Sequence, residues 1–443
     1  MRDTTRADRP TGAPILLLLL VAIAGCRARD LDPRSIEFWA MGREGEVVQQ
    51  LVRGFEAREP GARVHVQQIP WSAAHEKLLT AFAGGVLPDA LQLGSTWIAE
   101  FAAIGALEPL DRPPGRFADD RDDFFPGAFE TGVVEGEVWA LPWYVDTRLL
   151  FYRADLLRRA GYERVPETWD AWREAMARTR SIAGDGAHAI LLPLREWETL
   201  VILAMQRGAS LLRDGDSRGD FRSAAFREAF SFYLDLFRSG LAPTGGEAQA
   251  ANLYQGFAEG SFSFVVTGPW NLRELPDRLP SRLASAWNTA AMPAPDGEWP
   301  GTSLAGGASL AVVRGSPRAE LARRWIEYLC EPAQQLALHR LSGDLPSRRS
   351  AWVAGELARD VRAAAFWTQL ARVRPTPRIP EWERIAARIA QHAEAAIRGE
   401  ETADDALAAL DADADRILEK RRWMRARTSG SRTAPAREPG ATS

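Results

Sequence analysis

Between Ser35 and Ile104 the spacing of apolar residues switches repeatedly from every second position to every third or fourth, and no other feature narrows the possible folds as far. Ser35 to Ala40 alternates as a strand. Glu44 to Arg58 then sets Val47, Val48, Leu51, Val52 and Phe55 at helical spacing, and Pro60-Gly61 stops the helix. Arg63 to Ile69 alternates as a second strand. Ser72 is suited to cap the next helix, which runs to about Phe82 and ends at Gly84-Gly85. Asp89 to Leu93 reads as a third strand, Gly94-Ser95 as a tight turn and Thr96 to Ile104 as a helix. This succession predicts a parallel sheet with helices on both faces, because parallel strands need crossover connections. Ligands bind such sheets beyond the carboxyl ends of the strands, where Trp39 to Glu44 and Gly94 to Trp97 fall.

A chain of 443 residues exceeds what one hydrophobic core usually supports, so two lobes are the expected minimum. With 46% apolar and 26% charged residues the composition is that of an ordinary soluble protein. A net charge of -4 spread over this length argues against a nucleic-acid binder, which would carry a clustered basic excess. Lysine occurs only at Lys77 and Lys420, neither within Gly-x-x-x-x-Gly-Lys-Ser/Thr, so any ATPase working with this protein is another chain. The five histidines, His65, His75, His188, His339 and His392, lack the spacing of metal ligands, so no metal site is expected. No Gly-x-Ser-x-Gly elbow or His-Glu-x-x-His helix appears.

Arg2, Arg6 and Arg9 precede an apolar run from Ile15 to Ala24, too short to span a bilayer but right for the core of a signal peptide over residues 1–25. The run ends Ile23-Ala24-Gly25-Cys26, which resembles the lipobox of bacterial lipoproteins. That resemblance implies lipidation of Cys26 and a lipid-anchored tether over 26–34, a plain signal peptide being the alternative. Cys330, in the apolar context of Trp325 to Leu329, reads as a small core residue, and with Cys26 lipidated no intrachain disulfide can form.

Farther on the pattern is mostly helical. Pro166 and Thr168 introduce a helix from Trp169 to Arg180, Ala189 to Leu192 reads as a strand, and Glu196 to Gln206, Ser223 to Arg238 and Ala250 to Glu259 read as helices. Phe262 to Val266 is an inner strand, and Pro269 suits the first turn of a following helix. A last long helix spans Thr402 to Trp423, before a Ser/Arg/Thr/Pro/Gly tail over 425–443 that is expected to be disordered.

Leu141 to Leu157 links two aromatics, Trp143 and Tyr144, to the carboxylate of Asp146 and then to a continuous apolar run. This stretch resembles the first inter-lobe crossover of the extracellular solute-binding proteins of the sugar-import type, the maltose- and trehalose-binding family. The likeness covers nearly all of the mature chain and is most specific in Glu37 to Leu110, Val138 to Leu157 and Phe262 to Asn271. It implies an α/β, two-lobe periplasmic-binding-protein fold of type II with three crossovers. The N-terminal lobe is then expected from 35–143 and 267–307, and the C-terminal lobe from 144–266 and 308–424.

Among the sixteen tryptophans, Trp169 and Trp325 sit on apolar helix faces, while Trp39, Trp97, Trp143, Trp197 and Trp270 fall at strand ends or turns beside polar residues. An indole covers the apolar face of a sugar ring, and carboxylates, amides and guanidinium groups bind its hydroxyl rim. The resemblance implies ligand contacts at Trp143 and Trp270, at Asn271 beside it, at Arg43 and Glu44 in the first strand-to-helix loop, and at Ser95. Asp146 matches the crossover carboxylate that accepts from sugar hydroxyls; a hinge salt bridge with Arg148 is the other reading. Glu196, Trp197 and Glu198 match a second-lobe loop, with either glutamate able to face ligand. Gly306-Gly307 marks a close backbone approach to ligand or a hinge needing open dihedral space. Arg348 matches a rim arginine or is a surface residue.

The function implied is that of an extracytoplasmic, lipid-anchored, monomeric receptor, periplasmic or at the cell surface. It would bind a sugar without cofactor or turnover and deliver it to the permease subunits of an ABC importer with a separate ATPase. The same fold could instead hold a sugar phosphate, a glycerol phosphodiester or another anion through arginines. From another class, Glu44, Asp146, Glu196 and Glu198 could serve a glycosidase.

Overall fold

The computed structural model describes residues 32–111, 120–184, 186–245, 252–354 and 356–432. Residues 1–31, where the signal peptide, Cys26 and most of the tether are expected, lie outside the described residues.

The opening rhythm folds as expected. Strands β1 (Ser35–Met41), β2 (Arg63–Ile69) and β3 (Ala90–Gly94) run parallel. They alternate with helices α1 (Gly42–Val47), α2 (Gln49–Arg58), α3 (Trp71–Ala83) and α4 (Ile98–Ala103). The single helix expected over Glu44 to Arg58 is divided at Val48. Helix α3 starts one residue ahead of Ser72, behind Pro70 and without a side-chain cap. Ile36 and Phe38 of β1 point into one core with Phe55 and Trp325, and the opposite face packs Met41, Leu78, Leu91 and Phe101. Burial on both faces, worth about 1.5–3 kcal/mol for each large apolar side chain, fixes the register of this sheet.

The first-lobe sheet is completed by β4 (Leu141–Asp146), β9 (Gly306–Val312) and β10 (Leu345–Pro346), in the order β10-β4-β9-β3-β1-β2. The second-lobe sheet holds β5 (Leu149–Arg153), β6 (Ile190–Leu191), β7 (Phe264–Thr267) and β8 (Trp287–Ala290), in the order β8-β5-β7-β6. Helices α5 (Trp169–Ala183), α6 (Glu198–Gln206), α7 (Ala224–Arg238), α12 (Trp382–Arg398) and α13 (Ala403–Ile417) bury their apolar stripes in the second-lobe core. Thr168 caps α5, its Oγ1 accepting from the Ala171 N–H at 3.3 Å.

Three crossovers join the lobes: the first and the one at Gly306-Gly307 fall at expected positions, though the second returns the chain to the first lobe instead of leaving it, and the crossover expected at Thr267 to Asn271 is replaced by one after Pro346. The first is Thr147-Arg148, between β4 and β5. The chain does not return at Thr267: β7 is followed by α9 (Asn271–Arg278) and then by β8, which pairs with β5 in the same sheet from Trp287↔Arg153 to Ala290↔Leu150. The return comes at Gly306, where β9 enters the first sheet antiparallel to both β3 and β4. Helices α10 (Ala319–Leu329) and α11 (Pro332–Ser342) and strand β10 then remain in the first lobe, Trp325 meeting Phe38 at 5.7 Å, so the segment from 308 to 346 is not part of the second lobe. The third crossover follows Pro346. A Gly-Pro break after a strand looks the same whether the helix behind it rejoins its own sheet or another, so only strand pairing locates the crossings.

Cys330 is buried in the first-lobe core, which pushes its thiol up to about 12. At the C-terminus, α14 (Glu419–Arg432) follows α13 after Leu418 and runs on through residues 425–432, where disorder was expected; 433–443 lie outside the described residues. Among the described residues no helix is long and apolar enough to cross a membrane.

Candidate functional site

The carboxyl ends of β1 and β3 and the first two crossovers open onto one cleft of about 930 Å³ between the lobes, at the upper end of small-molecule sites.

On the first-lobe wall, Gly42 takes a left-handed φ of +47° and a Cβ there would press on the Trp71 indole, so the chain turns sharply and sends Arg43 and Glu44 into the cleft. Glu44 is buried; its Oε1 accepts from the Tyr144 hydroxyl at 2.7 Å and its Oε2 from Trp71 Nε1 at 3.4 Å. Gln92 donates to the Tyr144 oxygen at 3.3 Å and accepts from the Met41 N–H at 2.7 Å, which locks the arrangement to the sheet. Burial raises the Glu44 carboxyl above its ordinary value, against the hydrogen bonds from Tyr144 and Trp71. Trp97, behind the Gly94-Ser95 turn, packs on Trp71 at 5.7 Å and His75 at 5.1 Å. Asp344, from the turn between α11 and β10, lines the same wall.

The second wall is built around Arg148. Its guanidinium spans Asp146 at 2.9 Å and Glu198 at 3.3 Å and lies over the Trp270 ring, 4.6 Å from the centroid. A Cβ on Gly268 would overlap that indole, so glycine lets Trp270 fold back under the arginine. Burial raises the Asp146 carboxyl and Arg148 opposes the rise. On α9, Arg278 pairs with Glu274 at 2.6 Å and Arg273 faces Asp277 at 3.8 Å. Tyr254, from α8 (Leu253–Glu259), lies under Arg278 and donates to Asn271 Oδ1 at 3.0 Å.

Of the residues expected from the sequence, the cleft gathers Arg43, Glu44, Ser95, Trp97, Asp146, Trp197, Glu198, Trp270, Gly306 and Gly307. The glycines are required by the sheet: a Cβ on Gly307, with φ of +124°, would overlap the Tyr144 carbonyl oxygen, and one on Gly306 would crowd that of Asp146. Glu198 opens α6 on the cleft lining, a placement its helix dipole favours. Glu196 is outside the lining. It is open to solvent yet hemmed by protein mass and Glu198, which push its carboxyl up to about 7.

Besides Glu196, four expected contacts do not reach the cleft. Trp143 is fully buried against Phe38, because strand alternation turns it to the helix layer while Tyr144 faces the ligand side. Trp39 lies within β1, which continues to Met41, and its ring is covered by Lys77 at 5.0 Å. Asn271 is buried, bonding Thr267 and Tyr254, so it supports a lining residue instead of touching ligand. Arg348 is neither rim nor surface: it is buried over Phe124 and paired with Asp120 and Asp123. The sequence reading missed Trp71, Tyr144, Arg148, Tyr254 and Asp344 as lining groups. Trp71 stands just past the carboxyl end of β2, so the rule that picked out Trp39 to Glu44 would have found it. Among the described residues no three His, Cys, Asp or Glu side chains are grouped to hold a metal ion.

The chain matches the family profile of bacterial extracellular solute-binding proteins over residues 40–336. Its structure is similar to that of the sugar-binding protein MalE from the phytopathogen Xanthomonas citri, with 45% identity, a TM-score of 0.83, and coverage of 88% of this chain and 98% of that one. It is also similar to the GacH receptor of Streptomyces glaucescens, known unliganded and with acarbose, at 26% identity, a TM-score of 0.76 and coverage of 87% and 98%. The diacetylchitobiose binding protein DasA of Streptomyces coelicolor is 25% identical over 396 residues, 83% of this chain and 88% of that protein. The two-lobe fold, the cleft at the crossovers and a family match spanning well over half of the sequence lead to one conclusion: this chain belongs to the bacterial extracellular solute-binding proteins.

Proposed function

We propose that the protein is the extracytoplasmic receptor of an ABC importer and that it binds a sugar between its lobes without chemical turnover. The observation that carries this reading is the composition of the cleft. Trp71, Trp97, Trp197, Tyr254 and Trp270 offer flat apolar area, and Glu44 and Asp344, which no arginine neutralises, offer acceptors for a hydroxyl rim. The names of its relatives as sugar, acarbose and diacetylchitobiose binders support the same ligand class. An anionic ligand is disfavoured, because Arg43, Arg148, Arg273 and Arg278 each face a carboxylate already.

Two lobes hinged at three crossovers close on a ligand that touches both, and the closed form is what the permease subunits read. A separate ATPase supplies the energy, and the receptor acts as a monomer. Anchoring by a lipid on Cys26 is supported by the short apolar leader and its Ile23-Ala24-Gly25-Cys26 end. Titration with maltose, followed by tryptophan emission and calorimetry, tests the reading: saturable binding is expected, with maltose recovered intact after long incubation. Glucose released at enzymatic rates would replace it with the glycosidase. Cys26→Ser is expected to move the protein from the membrane to the soluble fraction.

A further inference from the structure

Besides the three crossovers, the lobes meet at the cleft wall. Glu383, in the first turn of α12, belongs to the second lobe, and its carboxylate accepts from the hydroxyl of Thr96, a first-lobe cleft residue just past β3. Close by stands a pair that can carry charge: Nε2 of His75 on α3 lies 2.7 Å from Oε2 of Glu100 on α4, with both side chains largely covered. The His75 ring packs on Trp97 at 5.1 Å, and on the other lobe Trp382, next to Glu383, meets Trp197 edge-on at 5.4 Å. The contact therefore joins the supports of two cleft indoles that stand on opposite lobes.

A first-turn glutamate is favoured by its helix dipole, which accounts for a carboxylate at this position but not for its partner on the other lobe. Thr96 lines the cleft, so opening about the crossovers separates the two groups and closure brings them together. We infer that Glu383 is a positioning residue for ligand capture, clasping α12 to Thr96 and to the His75–Glu100 pair so that the lobes shut with Trp97 and Trp197 in place. The inference rests on the receptor reading, in which closure holds the ligand, and adds to it the contact that secures the closed form.

The clasp responds to pH. The titratable groups around it are His75 and Glu76 on α3, Glu100 on α4, Glu198 on α6 and Glu383 itself. The hydrogen bond to Glu100 raises His75 above its ordinary value, against burial, and the charges of Glu100, Glu383 and Glu76 add to the rise. Burial raises the Glu383 carboxyl, opposed by Thr96 and His75. A protonated His75 offsets the carboxylates of both lobes; once it is neutral, Glu100 and Glu383 repel each other across the gap. The closed form therefore holds its protons more tightly than the open one, and affinity falls as pH rises from 6.5 through the His75 titration.

Titration of the mature protein with maltose at about pH 6 and about pH 8.5, on either side of that titration, tests the clasp. Glu383→Gln keeps an acceptor for Thr96 and removes the charge, so its affinity is expected to be about threefold below native at the lower pH and equal or higher at the upper one. In a His75→Gln background the same change is expected to raise affinity, because only repulsion is left to remove. A loss of equal size at both pH values marks a merely structural role and overturns the inference, as does no loss at either; the sugar receptor stands in both cases. If maltose fails to bind the native protein, the receptor reading loses its probe, and the empty protein decides. Its His75 imidazole, followed by NMR, is then expected to titrate at lower pH in Glu383→Gln than in the native chain, and an unchanged titration overturns the clasp.

Discussion

The two walls of the cleft treat charge in opposite ways. On the second-lobe side and across the hinge, every arginine lining the cleft sits on a carboxylate: Arg148 between Asp146 and Glu198, Arg273 toward Asp277, Arg278 on Glu274. On the first-lobe side Glu44 and Asp344 have no cation, and burial raises both carboxyls. A wall whose charges neutralise one another holds the molecule together without ligand. A wall with surplus acceptors gains most when ligand brings donors. Changes in the first should therefore register in stability, and changes in the second in affinity, with the aromatic platforms also on the affinity side.

The largest effect expected comes from removing the cation at the hinge. Arg148→Met leaves Asp146 and Glu198 facing each other, largely shielded from water, and should cost the empty protein about 3 kcal/mol in urea unfolding. Unchanged stability would erase the contrast between the walls. Next comes Trp270→Ala: the ring is 37% exposed, so unfolding should change little, whereas maltose affinity should fall about 30-fold through loss of the platform. Asp146→Asn removes only one of the two carboxylates on Arg148, so about 1 kcal/mol of apo stability should go, with affinity within about threefold. A larger affinity loss than stability loss would move Asp146 from hinge to ligand contact. The smallest effect belongs to Glu196, because its exposure to solvent screens most of the shift. Its carboxyl, at about 7 when folded, keeps a proton that the unfolded chain releases near its ordinary value, so apo stability should decline as pH rises from about 4.5 to 7. In Glu196→Gln that decline should be shallower, measured as melting temperature across the same window.

The two tryptophans at crossover motifs mark the limit of what could be read before folding. Trp143 and Trp270 each follow a proline and have polar residues close by, yet one is fully buried and the other stands in the cleft. Strand alternation turns Trp143 into the helix layer, whereas Trp270 stands in the turn that opens α9 and is free to face the cleft. Arg348 failed for a related reason, since its partners Asp120 and Asp123 lie more than two hundred positions away.

The sequence by itself determined the local elements and their class: the first three strands and their helices, the strand-end loops bearing Arg43, Glu44, Ser95 and Trp97, and the signal-like leader ending at Cys26. These follow from periodicity and turn chemistry, which act over a few residues. Only the tertiary structure decided that β8 rejoins β5, that the chain re-enters the first lobe at Gly306, that Arg148 joins Asp146 to Glu198, and that Asp344 comes to the wall of Glu44 without a cation. Strand pairing and charge pairing are contacts between distant segments, fixed by which surfaces are buried together, and no spacing along the chain records them.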